Sequence, residues 1–221
     1  MKRLLAAMTA ALMMVALVSS TALAKPSSSG NVIPGQWRVW NVNAAGTAYV
    51  PTNLTASGFK FLSTPDTALL TTSTDKSLLG NLTGKTITAT FTINASAGAT
   101  FAYYIDPLCT GTTPASAHLY FAGNGQGSGT DWYSNYWFSN PNATTLVSAV
   151  GNTVTLTAPI NTANWSDWGG EAASAVSSNF AAAVASVNEV GLSFGGGCGF
   201  LNGVGMSAGS ATFILTGYTV N

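Results

Sequence analysis

The chain has 221 residues, of which only 6% are charged, and seven basic residues balance seven acidic ones. This composition offers no basic stripe to neutralise phosphates or anionic lipid headgroups, which argues against nucleic-acid binding and polybasic membrane attachment. Solubility must therefore come from Ser, Thr, Asn and Gly, a composition that is typical of extracellular β-proteins.

The N-terminus, residues 1–24, has the pattern of a secretory signal peptide. Met1-Lys2-Arg3 is positively charged, Leu4 to Val18 is apolar, and Ala22-Leu23-Ala24 is a small-x-small pattern that signal peptidase accepts. The apolar run is shorter than the roughly 20 residues of a membrane span. We predict cleavage before Lys25 and release of a bacterial protein into the periplasm or the medium. The alternative is a retained membrane anchor.

The mature chain is predicted to begin with a flexible Pro/Ser-rich leader (25–35), followed by a single domain (36–221). Short β-type segments alternate with turns in this domain, which predicts an all-β sandwich. They are Gln36–Asn41, Gly58–Leu62, Lys85–Ile93, Thr100–Ile105, His118–Ala122, Trp132–Phe138, Thr153–Ala158, Val190–Phe194 and Ala211–Val220.

Two of these segments show the alternation of a half-buried strand. Between Lys85 and Ile93, aliphatic and aromatic residues occupy one face and threonines the other. In the last segment the alternation slips at Gly217, where a β-bulge would restore the register.

One segment has helical spacing instead. Val176, Phe180, Val184 and Val187 share one face of a predicted helix from about Ala175 to Asn188. Asp167 or Ser174 could cap its start, and the helix would cover one end or edge of the sandwich.

The order of these pieces resembles the jelly-roll domains of the galactose-binding-like class, including the laminin type IV domain. Ser77–Ile87 is similar to the start of the first long strand of that class. Thr153–Pro159, Trp165 and Phe180–Leu192 resemble a later strand, loop and helix, and Ala211–Val220 resembles the closing strand. The resemblance implies a jelly-roll β-sandwich with one short helix near the C-terminal strands. Many members of the class bind carbohydrate, and others are adhesive or packing modules.

The two cysteines, Cys109 and Cys198, are predicted to form one disulfide, because an even count in an exported chain favours pairing. Closing so long a loop would stabilise the fold by roughly 4–5 kcal/mol in the chain-entropy model. The alternative is two free thiols.

The groups of a conventional hydrolase are sparse. His118, the one histidine, lies on a predicted strand opposite Leu119, and Ser116 is too close to it in sequence to imply a triad. Glycoside hydrolysis needs two carboxylates, for which Asp131, Asp167 and Glu171 are candidates. Asp167 and Glu171 also fit the start of a helix.

Metal and cofactor sites are not predicted. One histidine and paired cysteines argue against zinc. A structural calcium ion would have to use Asp66, Asp75 and Asp106 together with carbonyl oxygens.

The densest chemical signal is the aromatic run from Asp131 to Phe138. On a strand, its even-numbered residues would face one way, and Tyr133, Asn135 and Trp137 the other. The solvent side would stack sugar rings on aromatic faces and bind hydroxyls through amides. Trp165 and Trp168 form a second candidate platform. The predicted ligand-binding residues are Asp131, Trp132, Tyr133, Asn135, Tyr136, Trp137, Trp165 and Trp168.

The alternative interpretation places these aromatics in the core or at its rim. Trp37 and Trp40, near the start of the domain, are interpreted as structural. We therefore hypothesise a secreted, non-catalytic module that binds a polysaccharide or glycan. One alternative is a structural or adhesive extracellular protein that acts through protein contacts or self-assembly, favoured by a surface with few charges to blunt edge strands. A weaker one is a secreted glycoside hydrolase or lyase that uses Asp131, Asp167 or Glu171.

Overall fold

A computed structural model describes residues 30–42, 49–104, 113–123 and 129–221. The predicted signal peptide and residues 25–29 of the predicted leader lie outside this part, as do Asp106 and Cys109. The disulfide between Cys109 and Cys198 therefore stays a prediction. Within the described ranges, no helix is both long enough and apolar enough to span a bilayer.

The described residues form thirteen strands and two short α-helices. In chain order these are β1 (Arg38–Val42), β2 (Tyr49–Asn53), β3 (Phe59–Lys60), β4 (Thr67–Thr72), β5 (Thr86–Ala95), β6 (Thr100–Tyr103), β7 (Thr113–Gly123), β8 (Tyr136–Thr145), α1 (Leu146–Ala149), β9 (Thr153–Pro159), β10 (Trp165–Asp167), α2 (Ser177–Ala185), β11 (Val187–Gly197), β12 (Val204–Ala208) and β13 (Ala211–Val220). Three 3-10 helices, Pro34–Gln36, Lys76–Leu78 and Gly129–Asn135, lie in the connections.

The strands form two antiparallel sheets. In the described part, a large sheet of nine strands has the order β10-β8-β7-β11-β4-β1-β2, with β12 and β6 attached beside β4. A small sheet of four strands has the order β3-β13-β5-β9. One apolar core joins the inner faces of both sheets. The predicted all-β sandwich is confirmed, and its architecture is compatible with a jelly roll.

The small sheet follows the alternation predicted from its sequence. Ile87, Ala89, Phe91 and Ile93 of β5 are fully buried, and Phe91 stacks on Phe213 of β13 at 4.7 Å between ring centroids. The outward threonines of β5 form cross-strand pairs with those of β9, and the hydroxyls of two of these pairs lie 3.2 Å apart. Such pairs each contribute a few tenths of a kcal/mol up to about 1 kcal/mol. The register of β13 shifts between Leu215 and Gly217, which confirms the predicted bulge.

Helix α2 closes one end of the core beside β7. It is shorter than predicted because Val187 already begins β11. Phe180 and Val184 are buried as expected, and the Phe180 ring lies 4.9 Å from that of Trp137. The predicted cap is wrong, since Val176 precedes the helix without a side-chain capping bond and Asp167 belongs to β10.

Four strands were not predicted: β2, β4, β10 and β12. Strand β4 is buried along its whole length, so its sequence TALLTT shows no alternation of polar and apolar residues. The strand predicted over Trp132–Phe138 is also incorrect in its first half. Residues up to Asn135 form a 3-10 helix, and the strand begins at Tyr136.

Candidate functional site

The outer face of the large sheet, which points away from the sandwich core, carries a second apolar cluster. It contains Leu69 of β4, Tyr120 and Ala122 of β7, and Phe138 of β8, with Leu201 packed over them. Tyr120 lies opposite Phe138 on one side and Gly191 of β11 on the other. Because Gly191 has no side chain, the sheet surface between Tyr120 and β4 is recessed.

Three segments surround this face and turn it into a cleft of about 320 Å³. The 3-10 helix Gly129–Asn135 supplies Trp132, the turn after β10 supplies Trp168, and the connection between β11 and β12 supplies Leu201. The remaining lining comes from the sheet itself. The aromatic cleft is lined by Trp40, Leu69, Tyr120, Trp132, Tyr136, Trp168, Glu189 and Leu201.

The aromatic rings of the cleft pack on one another and leave part of their surface open. The Trp132 ring lies 5.4 Å from Trp168 and 5.9 Å from Tyr136, and Trp168 lies 5.8 Å from Tyr136. Even so, Trp132 remains 39% exposed and Trp168 38%. Large aromatic side chains with this much free surface are available for contact with a ligand.

Local hydrogen bonds fix the two exposed tryptophans. Buried Ser134, two residues after Trp132, accepts a hydrogen bond from Asn179 Nδ2 of α2 at 3.1 Å, and its carbonyl accepts one from Trp137 Nε1 at 2.8 Å. On the other side, Asp167 Oδ1 accepts the backbone N–H of Glu171 at 2.9 Å and closes the turn that holds Trp168. Both platforms are therefore tied to regular elements of the fold.

A series of hydrogen bonds, from Trp40 through Thr71 to Glu189, crosses the otherwise apolar floor of the cleft. Trp40 Nε1 donates to Thr71 Oγ1 at 3.0 Å, and the Thr71 side chain also bonds the carboxyl of Glu189. Since the indole can only donate, the single hydroxyl proton of Thr71 is left for Glu189. Burial raises the pKa of Glu189, and the Thr71 hydrogen bond partly offsets that effect.

The structure brings together three of the predicted ligand-binding residues: Trp132, Tyr136 and Trp168. The Tyr133 ring lies 4.2 Å from the Trp132 ring, tilted by 31°, and Tyr133 is 37% exposed, outside the cleft lining. Asn135 is partly buried at the end of the same 3-10 helix. Asp131 lies in that helix, but its side chain is outside the described part.

The other two predicted residues, Trp137 and Trp165, are core residues. Trp137 is fully buried and Trp165 is 1% exposed, and both contact Phe121. Because β8 begins at Tyr136, its alternation turns Tyr136 and Phe138 outward and Trp137 inward. Neither residue lines the aromatic cleft.

Five residues of the cleft were missed: Trp40, Leu69, Tyr120, Glu189 and Leu201. A usable signal exists for Trp40, since Trp37 and Val39 are buried and an alternating strand turns Trp40 to the opposite face. Glu189 is the one acidic residue of β11. Tyr120 carries no such signal, because the run from Ala115 to Gly123 is buried throughout.

His118 and Ser116 form a buried polar pair beside the cleft. Ser116 Oγ lies 3.0 Å from His118 Nε2, and His118 Nδ1 lies 2.9 Å from the carbonyl of Ser139. The carbonyl requires a proton on Nδ1, so Nε2 of the neutral ring is an acceptor, and the one hydroxyl proton of Ser116 is shared between Nε2 and the carbonyl of Gly195, 3.3 Å away. Ser116 is 3% exposed, and the histidine ring lies 4.1 Å from Phe200. Ser116 and His118 lie within the hydrogen-bonding distance expected of a nucleophile and its general base, but neither residue lines the cleft.

Two of the acidic residues considered for calcium, Asp66 and Asp75, lie in separate turns, and Asp106 lies outside the described residues. Asp66 accepts a hydrogen bond from the Thr64 hydroxyl, and Asp75 accepts from the backbone and hydroxyl of Ser77 at the start of a 3-10 helix. Across the described ranges, no three His, Cys, Asp or Glu side chains cluster in a way that could hold a metal ion.

Comparisons of the chain with protein-family models, with curated proteins and with solved structures found no match. The function must therefore be argued from the cleft itself.

Proposed function

We propose that the protein is a secreted carbohydrate-binding module and that the aromatic cleft is its binding site. The observation that carries this proposal is the group of partly exposed rings, Trp132, Tyr136 and Trp168, around one concavity on the outer face of the large sheet. Sugar rings have apolar C–H faces that stack on such aromatics. A few polar groups among apolar walls then fix the orientation of the ligand.

The size and position of the cleft support this proposal. A volume of about 320 Å³ is at the lower end of the range for small-ligand pockets and fits one or two sugar units. The resemblance of the chain to galactose-binding-like jelly rolls points the same way, and we include membership of that class in the proposal. Because the cleft opens on a sheet face, it would bind an internal segment of a long polysaccharide and would not require the end of the polysaccharide chain.

The proposal concerns binding rather than hydrolysis. A glycoside hydrolase places two carboxyl groups on either side of the scissile bond. Among the described residues that line the cleft, Glu189 is the one carboxylate. Asp167 is engaged in the turn to Glu171.

The test is binding of the mature, oxidised protein to a panel of soluble and insoluble polysaccharides. Trp168→Ala should weaken saturable binding at least about tenfold, since central tryptophans dominate binding energy. Tyr104→Ala is the matched control, because Tyr104 is an exposed aromatic that does not line the cleft. Trp137→Ala would test folding instead, since that side chain is in the core.

Three outcomes would contradict the proposal. Binding to no polysaccharide, with elution as a large assembly, would favour the structural or adhesive alternative. Equal loss in Trp168→Ala and Tyr104→Ala would show that binding does not use the cleft. Release of new reducing ends from a bound glycan would indicate the hydrolase or lyase alternative.

A further inference from the structure

Glu189 places one carboxyl group in a cleft whose other lining residues are aromatic or aliphatic. It is the one ionisable acid or base among the described residues lining the cleft, apart from two tyrosines. The residue lies near the start of β11, opposite Ala122 of β7, and its side chain lines the sheet side of the cleft. A partly buried carboxylate there costs free energy unless something compensates it.

The protein itself offsets little of the free-energy cost of the partly buried Glu189 carboxylate. Within the described part of the chain, the influences on the pKa of this carboxyl are burial and the Thr71 hydrogen bond, and no basic group is among them. The nearest basic residue by strand register is Arg38, which lies across from Thr71 on β1 and is exposed. Thr71 orients the Glu189 carboxylate but supplies no positive charge.

The walls of the cleft also favour a positive charge. The faces of tryptophan and tyrosine rings carry negative electrostatic potential and attract cations within about 6 Å. Trp40, Trp132 and Trp168 surround the cleft whose floor carries Glu189. A carboxylate inside an aromatic enclosure matches the chemistry by which proteins recognise protonated or quaternary amines.

We infer that the cleft selects a cationic sugar, that is, a glycan whose units carry a free protonated amine, such as glucosamine. This inference rests on the proposed function. Stacking on Trp132 and Trp168 would hold the sugar ring, and Glu189 would pair with its ammonium group. Acetylating the amine removes its charge and its ion pair while leaving the ring and most hydroxyls unchanged, so the inference predicts discrimination between the two forms.

The experiment compares hexamers of glucosamine and of N-acetylglucosamine by calorimetric titration of the mature, oxidised protein. We expect the wild type to bind the glucosamine hexamer roughly tenfold more tightly than the acetylated one. Glu189→Gln should remove this preference by weakening binding of the glucosamine hexamer about tenfold. Trp168→Ala should weaken binding of both.

Glu171→Gln is the matched control for nonspecific attraction between a polycation and surface acids. Glu171 is exposed and does not line the cleft. This variant should keep the wild-type preference. Because Glu189→Gln replaces a partly buried carboxyl with a neutral group of the same shape, we expect that variant to fold, and its thermal unfolding should be recorded alongside.

The outcomes separate this inference from the proposed function. Equal binding of the two hexamers, still lost in Trp168→Ala, would overturn the cationic specificity and leave the sugar site standing. Equal loss of preference in Glu189→Gln and Glu171→Gln would also overturn it. If tetramethylammonium binds the cleft as tightly as the glucosamine hexamer, the site recognises amines in general and the sugar assignment fails. Binding of neither hexamer nor of any neutral glycan would overturn both.

Discussion

At the scale of single residues, the buried histidine is a stability element with a defined pH dependence. His118 is 4% exposed, and burial lowers its pKa from 6.5 to about 4. The hydrogen bond to the Ser139 carbonyl opposes this shift without cancelling it. The neutral ring, bonded at both nitrogens, is therefore the form that fits the fold.

This shift predicts a loss of stability in acid. Between pH 6.5 and about 4 the unfolded chain binds a proton at His118 that the folded protein rejects. The free energy of unfolding should therefore decrease as the pH is lowered through this window. At pH 4 the loss that comes from His118 should be about 3 kcal/mol. Urea unfolding of the wild type and of His118→Gln at pH 7 and pH 4 measures the effect.

The comparison with His118→Gln isolates the histidine from other titrating groups. Glu189, whose pKa is raised, acts in the opposite direction, since the stability it contributes is present at low pH and is lost as pH rises. It titrates equally in both proteins and cancels in the difference. The variant should be less stable at pH 7, and its deficit should shrink towards pH 4. A deficit that does not change with pH would contradict this account.

At the scale of elements, the contact between α2 and β7 depends on a glycine. A Cβ on Gly123, the last residue of β7, would lie 2.5 Å from the backbone of Ala183 in α2. Backbone atoms cannot give way as a flexible side chain does, so the helix would have to move. The same helix holds the Ser134 segment below Trp132 through Asn179.

We expect Gly123→Ala to lower the free energy of unfolding by about 1–3 kcal/mol, as overpacking does elsewhere. Gly35→Ala is the matched control, because a Cβ there meets nothing within 4 Å. Urea denaturation of the two variants beside the wild type provides the measurement. Equal stability of the two variants would mean that α2 is free to shift away from β7 at little cost.

The elements differ in how far the sequence predicts them, for physical reasons. Strand β5 has one buried and one solvent-facing side, so its sequence alternates and its location is predicted correctly. Strand β4 is covered on both faces and loses that signal. The Trp132 segment has strand-like composition, but it forms a 3-10 helix in which Ser134 is bonded to Asn179 of α2. This contact between residues far apart in the chain is not visible in a local window.

At the scale of the whole molecule, the cleft is a product of topology. Its lining comes from five strands of the large sheet and three connections, which span the sequence from Trp40 to Leu201. The aromatic run around Trp132 and the isolated Trp168 were identified because they are locally conspicuous. Trp40 and Glu189 join them only through the strand order β7-β11-β4-β1, which the sequence pattern does not reveal.

The connection between β11 and β12 links the predicted disulfide to this cleft. Cys198 lies in that connection, three residues before Leu201 of the lining, and it contributes to a smaller pocket beside Trp168. A covalent tie at Cys198 would restrict the position of Phe200 and Leu201 over the outer face of the large sheet. The disulfide is therefore expected to affect binding as well as stability.

We predict that the purified mature protein contains no free thiol and that Cys109→Ala/Cys198→Ala lowers its free energy of unfolding by roughly 4–5 kcal/mol, because the unfolded chain regains the entropy of an open loop. Thiol titration in denaturant tests the first statement, and urea unfolding tests the second. Wild type treated with reductant should match the double variant, which controls for lost side-chain packing. Two titratable thiols in the untreated protein would refute the pairing. If the double variant is as stable as the wild type but binds glycan more weakly, the disulfide acts only on the rim of the cleft and not on the stability of the fold.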